Sequence, residues 1–298
     1  MNSDDLCIGI IGGTGIAEKL TQRLNAGELR AHTIDTPFGK PSDDLLEGAI
    51  SGVRTIFLSR HGPGHTIPPH ALPFRANIFA LKSLGVTHLV ATGAVGSLRE
   101  DIAPGDVVLV DQFIDRTVHR ARTFYDRAAV HVEFAEPCCP ETRTWLLAAA
   151  KSAGVTVHES GTYVCMEGPS FSTRAESHMH RAMGGDLIGM TAMPEAKLAR
   201  EAEIAYALLA LPTDYDSWRD PEPGKHGDSL LEEIIGNLQR SSATALDVLA
   251  GALSDPSALL ERPSPAHDAL ARAIWSDRGS IHETEIDRLH VLWGRHFA

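Results

Sequence analysis

The stretch Leu72–Gly96, LPFRANIFALKSLGVTHLVATGAVG, decides the fold. Phe74, Ile78, Leu81 and Leu84 fall at helical spacing, and Gly85 stands where a helix should stop. Val86–Thr92 then runs apolar without alternation, as a strand buried on both faces does. Gly93–Gly96 reads as a Gly-rich turn closing that strand. Similar pieces recur on either side. Cys7–Ile11, Val53–Ser59, Asp106–Val110, Asp186–Gly189 and Ile204–Leu211 read as strands, and Val155–Met166 as one long extended strand. Glu141–Ala153, Thr173–Met183, Ala192–Ala202 and Ser229–Leu253 have helical spacing, the last with Leu231, Ile234, Ile235 and Leu238 on one face. Strands alternating with helices imply a single α/β domain with a central, largely buried sheet flanked by helices. Three prolines in Asp255–Pro265 set off a C-terminal tail, where Trp275, Leu289, Leu292 and Trp293 form an amphipathic pattern expected to pack on the same domain.

The chain has 298 residues, enough to bury a sizeable core. A formal net charge of −12 argues against a nucleic-acid groove, which needs a basic stripe. The start, MNSDDLC, is acidic where a signal peptide is basic, and no stretch has the length of a membrane span. Four cysteines without a CxxC fit a reduced, cytoplasmic protein. Fifteen histidines invite a metal, yet neither His61, His65 and His70 nor His178 and His180 has zinc-site spacing, so no metal is expected.

Chemistry concentrates in a few segments. Gly12–Gly15, GGTG after a strand, suits an anion held by backbone N–H groups and the Thr14 hydroxyl. Arg60 and His61, directly after another strand, supply the cation, and the backbone at Ala94 adds further donors. In EGPSFSTRAES, Glu167–Ser177, Phe171 is placed to stack on a base, and Met190 to cover a sugar. The two carboxylates of TDYD, Asp214 and Asp216, follow the run Ile204–Leu211 and point to one face if extended. A paired acceptor wants a ligand rich in donors, such as adenine with its amino group and a proton at N7.

Nine segments carry a resemblance to a known family: IGIIGGTG at 8–15, DTPFGKPSD at 35–43, RHG at 60–62, RANIFALK at 75–82, GSLRE at 96–100, PGDVVLVDQFIDRT at 104–117, EGPSFSTRAES at 167–177, MTAMPE at 190–195 and TDYDSW at 213–218. In this order they resemble the S-methyl-5′-thioadenosine phosphorylases of the trimeric purine nucleoside phosphorylase superfamily, over about residues 7–250. The resemblance implies a mixed β-sheet flanked by helices, with a catalytic domain at 1–254 and a divergent helical extension at 255–298. It also implies a homotrimer with sites near subunit boundaries, with phosphate as co-substrate and no cofactor. By the same resemblance Thr14, Arg60, His61, the Ala94 backbone and Thr191 bind phosphate. Met190 meets the ribose, Phe171 and Ile188 the base, and Asp214 and Asp216 its N7/N6 edge, with Asp214 as proton donor. His131 reaches a neighbouring subunit's 5′ pocket. Two positions depart from the pattern: Gly93 stands where many relatives carry a hydroxyl, and Ser170 where an arginine is common.

The residues leave alternatives open. A 6-oxopurine nucleoside phosphorylase favours an asparagine at position 214, because a carbonyl facing a carboxylate leaves two acceptors unpaired. A nucleosidase using water has no need of Arg60 and the two Gly-rich segments. A non-catalytic binder of adenine-like or aromatic ligands keeps the pocket without turnover. At the 5′ end, Leu231, Ile234 and Ile235 offer an apolar wall for a methylthio group, whereas His131 and His226 suit a hydroxyl.

Overall fold

The computed structural model describes residues 6–13, 16–23, 27–219 and 227–297. Its strands are β1 (Cys7–Gly12), β2 (Arg30–His32), β3 (Leu45–Ile50), β4 (Val53–Ser59), β5 (His88–Ser97), β6 (Val107–Leu109), β7 (Gln112–Asp115), β8 (Val157–His158), β9 (Thr162–Cys165), β10 (Leu187–Gly189) and β11 (Ala205–Asp214). The helices are α1 (Ile16–Arg23), α2 (Phe74–Ser83), α3 (Pro140–Ser152), α4 (Arg174–Ala182), α5 (Glu195–Glu201), α6 (Gly227–Ser254), α7 (Ser257–Glu261), α8 (Glu283–Arg288) and α9 (His290–Trp293). All the strands join one mixed sheet. β1 lies between β4 and β5, and β5 also pairs with β11, each in parallel. β10 meets the end of β5 antiparallel and leads through β9 to β7.

Side chains along the central strands alternate between two cores, as the period of two requires. Ile11, Leu89, Tyr206 and Leu208 join Ile78 of α2, Leu198 of α5 and Trp293 of α9 on one face. Ile8, Ile10, Val90, Ala207 and Leu209 join Trp145 of α3 and Leu249 and Leu253 of α6 on the other. No helix among the described residues is long and apolar enough to cross a membrane.

Three sequence expectations change. Gly93–Gly96 is not a turn, because β5 runs on to Ser97 and pairs through Gly96 with both β11 and β10. Val155–Met166 is not one strand: β8 pairs with β6, while β9 serves β10 and β7. In the tail, Leu289, Leu292 and Trp293 are buried but Trp275 is 72% exposed. Trp293 stacks on Tyr125 with ring centroids 4.7 Å apart, and Arg295 and His296 reach the buried Glu203 carboxylate at 2.8 and 3.2 Å.

Beside this clamp Glu201 is buried, its carboxylate accepting from the Phe124 amide at 2.8 Å. Burial, aided by Asp126 and only partly opposed by the Phe124 amide and the Thr123 hydroxyl, pushes its pKa up from 4.5 to about 7. The folded state therefore favours the neutral carboxyl. Its stabilising contribution is complete below about pH 4.5 and is lost as pH rises through about 7, a swing of roughly 3 kcal/mol. Glu201→Gln is expected to raise the melting temperature by several degrees at about pH 8 and to leave it unchanged at about pH 4. Equal shifts at both pH values in calorimetry would refute this.

Candidate active site

The carboxyl ends of β1, β4, β5, β10 and β11 converge on a cavity of about 540 Å³, a volume suited to a small organic ligand. Open α/β sheets bind ligands in such a place, outside the carboxyl ends of parallel strands. Among the expected site residues, Arg60, His61, Ala94, Phe171, Ile188, Met190, Thr191, Asp214 and Asp216 all line it. Thr14 lies outside the described residues, as do His226 and the side chains of Leu231 and Ile234. Ile235 is 59% exposed and is not a wall. His131 is exposed and does not line the cavity; its ring packs against Trp275 with centroids 4.7 Å apart.

Arg60 differs most from its expected state. It is 2% exposed and forms a two-pronged ion pair with Glu195, Nε donating to Oε2 at 2.8 Å and Nη2 to Oε1 at 3.1 Å. Nη1 donates to the Thr92 carbonyl at 2.9 Å and Nη2 to that of Ile11 at 3.4 Å. Four of the five guanidinium hydrogens are thus spoken for, and one on Nη1 remains. Arg60 keeps one donor at the cavity lining, and Glu195 already balances its charge. His61 is not a cation. Burial, with Arg60 and His65 nearby, outweighs a bond to Ile67 and lowers its pKa to about 4.

Asp214 ends β11, and a bulge between Pro212 and Asp214 turns it toward Gly96. Its carboxylate accepts from Thr213 Oγ1 at 2.8 Å and from the Asp216 amide at 2.9 Å. The expected extended TDYD is overturned: Asp216 opens a short 3-10 turn, Asp216–Trp218, with φ of +48°. Both carboxylates still face the cavity, because the turn folds back onto Asp214. Gly96 makes this possible. A Cβ there would lie 2.9 Å from Ile188 Cγ2 and 3.3 Å from Asp214 Oδ2. Trp218 Nε1 and Ser217 Oγ tie the turn to the carbonyls of Ser97 and Ser172, each at 2.8 Å. The second bond fixes the loop that presents Phe171, 60% exposed at the cavity.

Met190 is held from behind. Arg120, which is buried, donates to the carbonyls of Met190, Met193 and Glu167 at 2.7, 2.6 and 2.7 Å. Its Nε bonds the Glu167 carboxylate at 2.8 Å, which also accepts from the amides of Val118 and His119. Burial opposes ionisation, yet these amides and Arg120 bring Glu167 down to about 2. Glu167 is therefore a brace, and Glu176 closes a capping box with Thr173 at the start of α4. Gly93 leaves room at the cavity wall, since a Cβ there would meet only Thr191 Oγ1, at 3.7 Å.

Several lining residues escaped the sequence reading: Lys19, His65, Gly96, Met166, Leu238, Ser242, Ala245 and Leu246. The last four lie on one face of α6, at steps of four, seven and eight residues from Leu238, so helical spacing held the signal. Among the described residues, no three His, Cys, Asp or Glu side chains group as a metal would need.

The fold and this cavity define a nucleoside phosphorylase class of site. A family model for the phosphorylase superfamily matches residues 7–254, and the chain belongs to that family. It is 45% identical over 289 residues to the S-methyl-5′-thioadenosine phosphorylase of Geobacter sulfurreducens, covering 96% of this chain and 98% of that one. It is 50% identical over 246 residues to the protein of that name from Cereibacter sphaeroides, covering 82% of each. Among solved structures, a methylthioadenosine phosphorylase from an antarctic soil metagenomic library superposes with a TM-score of 0.87 at 45% identity, over 96% of this chain and 98% of that one. The Schistosoma mansoni methylthioadenosine phosphorylase in complex with adenine gives 0.79 at 36% identity, over 91% and 99%.

Proposed function

We propose that the chain catalyses the phosphorolysis of S-methyl-5′-thioadenosine, giving adenine and 5-methylthioribose 1-phosphate. One observation carries this reading: a single cavity joins the donors at Arg60, Ala94 and Thr191 to the carboxylates of Asp214 and Asp216. Near-full-length similarity to proteins bearing that activity in their names supports it.

Breaking an N-glycosidic bond builds positive charge on the sugar and negative charge on the departing base. Asp214 delivers a proton to N7, and Asp216 accepts from the amino group at position 6. Phosphate lies under the anomeric carbon, directed by the remaining Arg60 hydrogen, the Ala94 amide, Thr191 and Thr14, and it acts as nucleophile and counter-charge. The balance closes without a further reactant. The C–N bond breaks, a C–O bond forms, adenine gains a proton and the phosphate loses one. Neither a metal nor an organic cofactor enters. Ile188 and Phe171 hold the base and Met190 the ribose.

At the 5′ end, Leu238, Ala245 and Leu246 of α6 form the apolar wall. In a homotrimer, the exposed His131 reaches a neighbour's pocket. The catalytic unit is 1–254, and 255–298 is an extension clamped to it through Trp293 and Glu203. Four free, buried cysteines suit a cytoplasmic setting.

The test measures adenine release from methylthioadenosine with and without phosphate, with adenosine and inosine as comparators. Release should require phosphate, favour methylthioadenosine over adenosine by about ten- to two-hundredfold in kcat/KM and neglect inosine. Equal release without phosphate means a hydrolase; adenine binding without turnover means a binder. A sedimentation mass other than three chains refutes the trimer.

A further inference from the structure

The fold fixes the hydrogen-bonding sense of His61, a member of the proposed phosphate pocket. Its Nδ1 lies 2.8 Å from the Ile67 carbonyl oxygen. A carbonyl only accepts, so Nδ1 carries the hydrogen. The ring is clamped in this pose: the His65 ring stacks on it at 4.0 Å with planes 19° apart, and the Ile67 amide returns a bond to the His61 carbonyl at 3.0 Å. Nε2, on the opposite edge, bonds no described residue and is not among the buried unpartnered atoms, while the side chain lines the cavity. In the neutral imidazole that nitrogen holds a lone pair. The ring is kept neutral by burial, with Arg60 and His65 adding to it.

A bare lone pair facing an anion repels it unless the anion brings a hydrogen. Resting on the phosphorolysis reading, we infer that His61 reads the proton of the bound phosphate. Its Nε2 accepts from the P–O–H of the singly protonated dianion, and so selects phosphate and arsenate over the unprotonated sulfate dianion of the same charge and shape. This orients the nucleophile as well as binding it. With the P–O–H fixed on His61, the three remaining oxygens carry the charge, and one of them attacks the sugar. The hydrogen held by His61 is on the oxygen that does not form the new bond, and it is the one the product sheds.

The experiment compares sulfate and phosphate at about pH 8, where phosphate is mainly its singly protonated dianion. In the wild-type protein, the inhibition constant of sulfate against phosphate should exceed the phosphate KM by about tenfold or more, the scale of one unmatched acceptor. Arsenate should replace phosphate in releasing adenine. His61→Gln presents an amide that can turn either edge to the anion. Its sulfate-to-phosphate ratio should collapse to within about threefold. Sulfate binding as tightly as phosphate to the wild type overturns the inference, and so does an unchanged ratio in the variant. If His61→Gln does not fold, the wild-type ratio decides alone. Failure of the underlying reading looks different, since adenine is then released equally in buffer without phosphate.

Discussion

Asp214→Asn is expected to fold, to lose about a hundred- to ten-thousandfold in kcat/KM on methylthioadenosine, and to gain activity on inosine. The loss is that of a positioned proton donor. Folding is expected to survive because the surroundings accept an amide in one orientation. The Asp216 N–H must still find an oxygen, so the amide oxygen takes the Oδ2 place. The NH2 group then falls beside Thr213, whose hydroxyl also reaches the Val95 carbonyl at 3.3 Å and accepts from the amide once it donates there. The amide also puts a donor at position 214, where a carboxylate would repel a 6-oxo group. Melting temperature, with kcat/KM on both substrates, checks the three parts together. Full activity on methylthioadenosine in a folded variant removes Asp214 as the donor.

The architecture was legible because its central strands are buried on both faces. Runs such as Leu89–Ala91 and Ala205–Leu211 leave no other reading once glycines and helical spacing bound them. β2, β3 and β7 were not read, being short or half-buried and lacking a strong apolar pattern. The site residues were legible as types, since carboxylates after a strand and Arg-His after another announce polar chemistry. Their states were not. Glycines at 93 and 96 signal a turn locally, but at Gly96 it is Ile188 and Asp214, far away in sequence, that need the space a side chain would fill. The bulge before Asp214 likewise belongs to pairing between β11 and β5, and the positive φ of Asp216 to the turn that follows it. Arg60 and Glu195 stand 135 positions apart, and no pattern in one strand can reveal that pairing.

That pairing sets the second large effect. Arg60→Ala is expected to cost about a hundredfold in kcat/KM for phosphate, the scale for losing one aimed donor at developing charge. It also strands Glu195, 1% exposed, leaving it only the Tyr206 hydroxyl at 3.0 Å as a partner among the described residues. Breaking a buried pair in this way destabilises by about 3–5 kcal/mol, whereas removing both charges is far milder. The double variant Arg60→Ala/Glu195→Gln should therefore recover most of the melting temperature lost by Arg60→Ala and none of the activity, because neither new side chain directs a hydrogen at phosphate. Calorimetry and phosphate KM on the two variants separate the roles. Activity returning with stability would make Arg60 a structural residue alone. A single variant as stable as the wild type would mean that Glu195 does not depend on Arg60, and that the guanidinium is free to carry its charge to the anion.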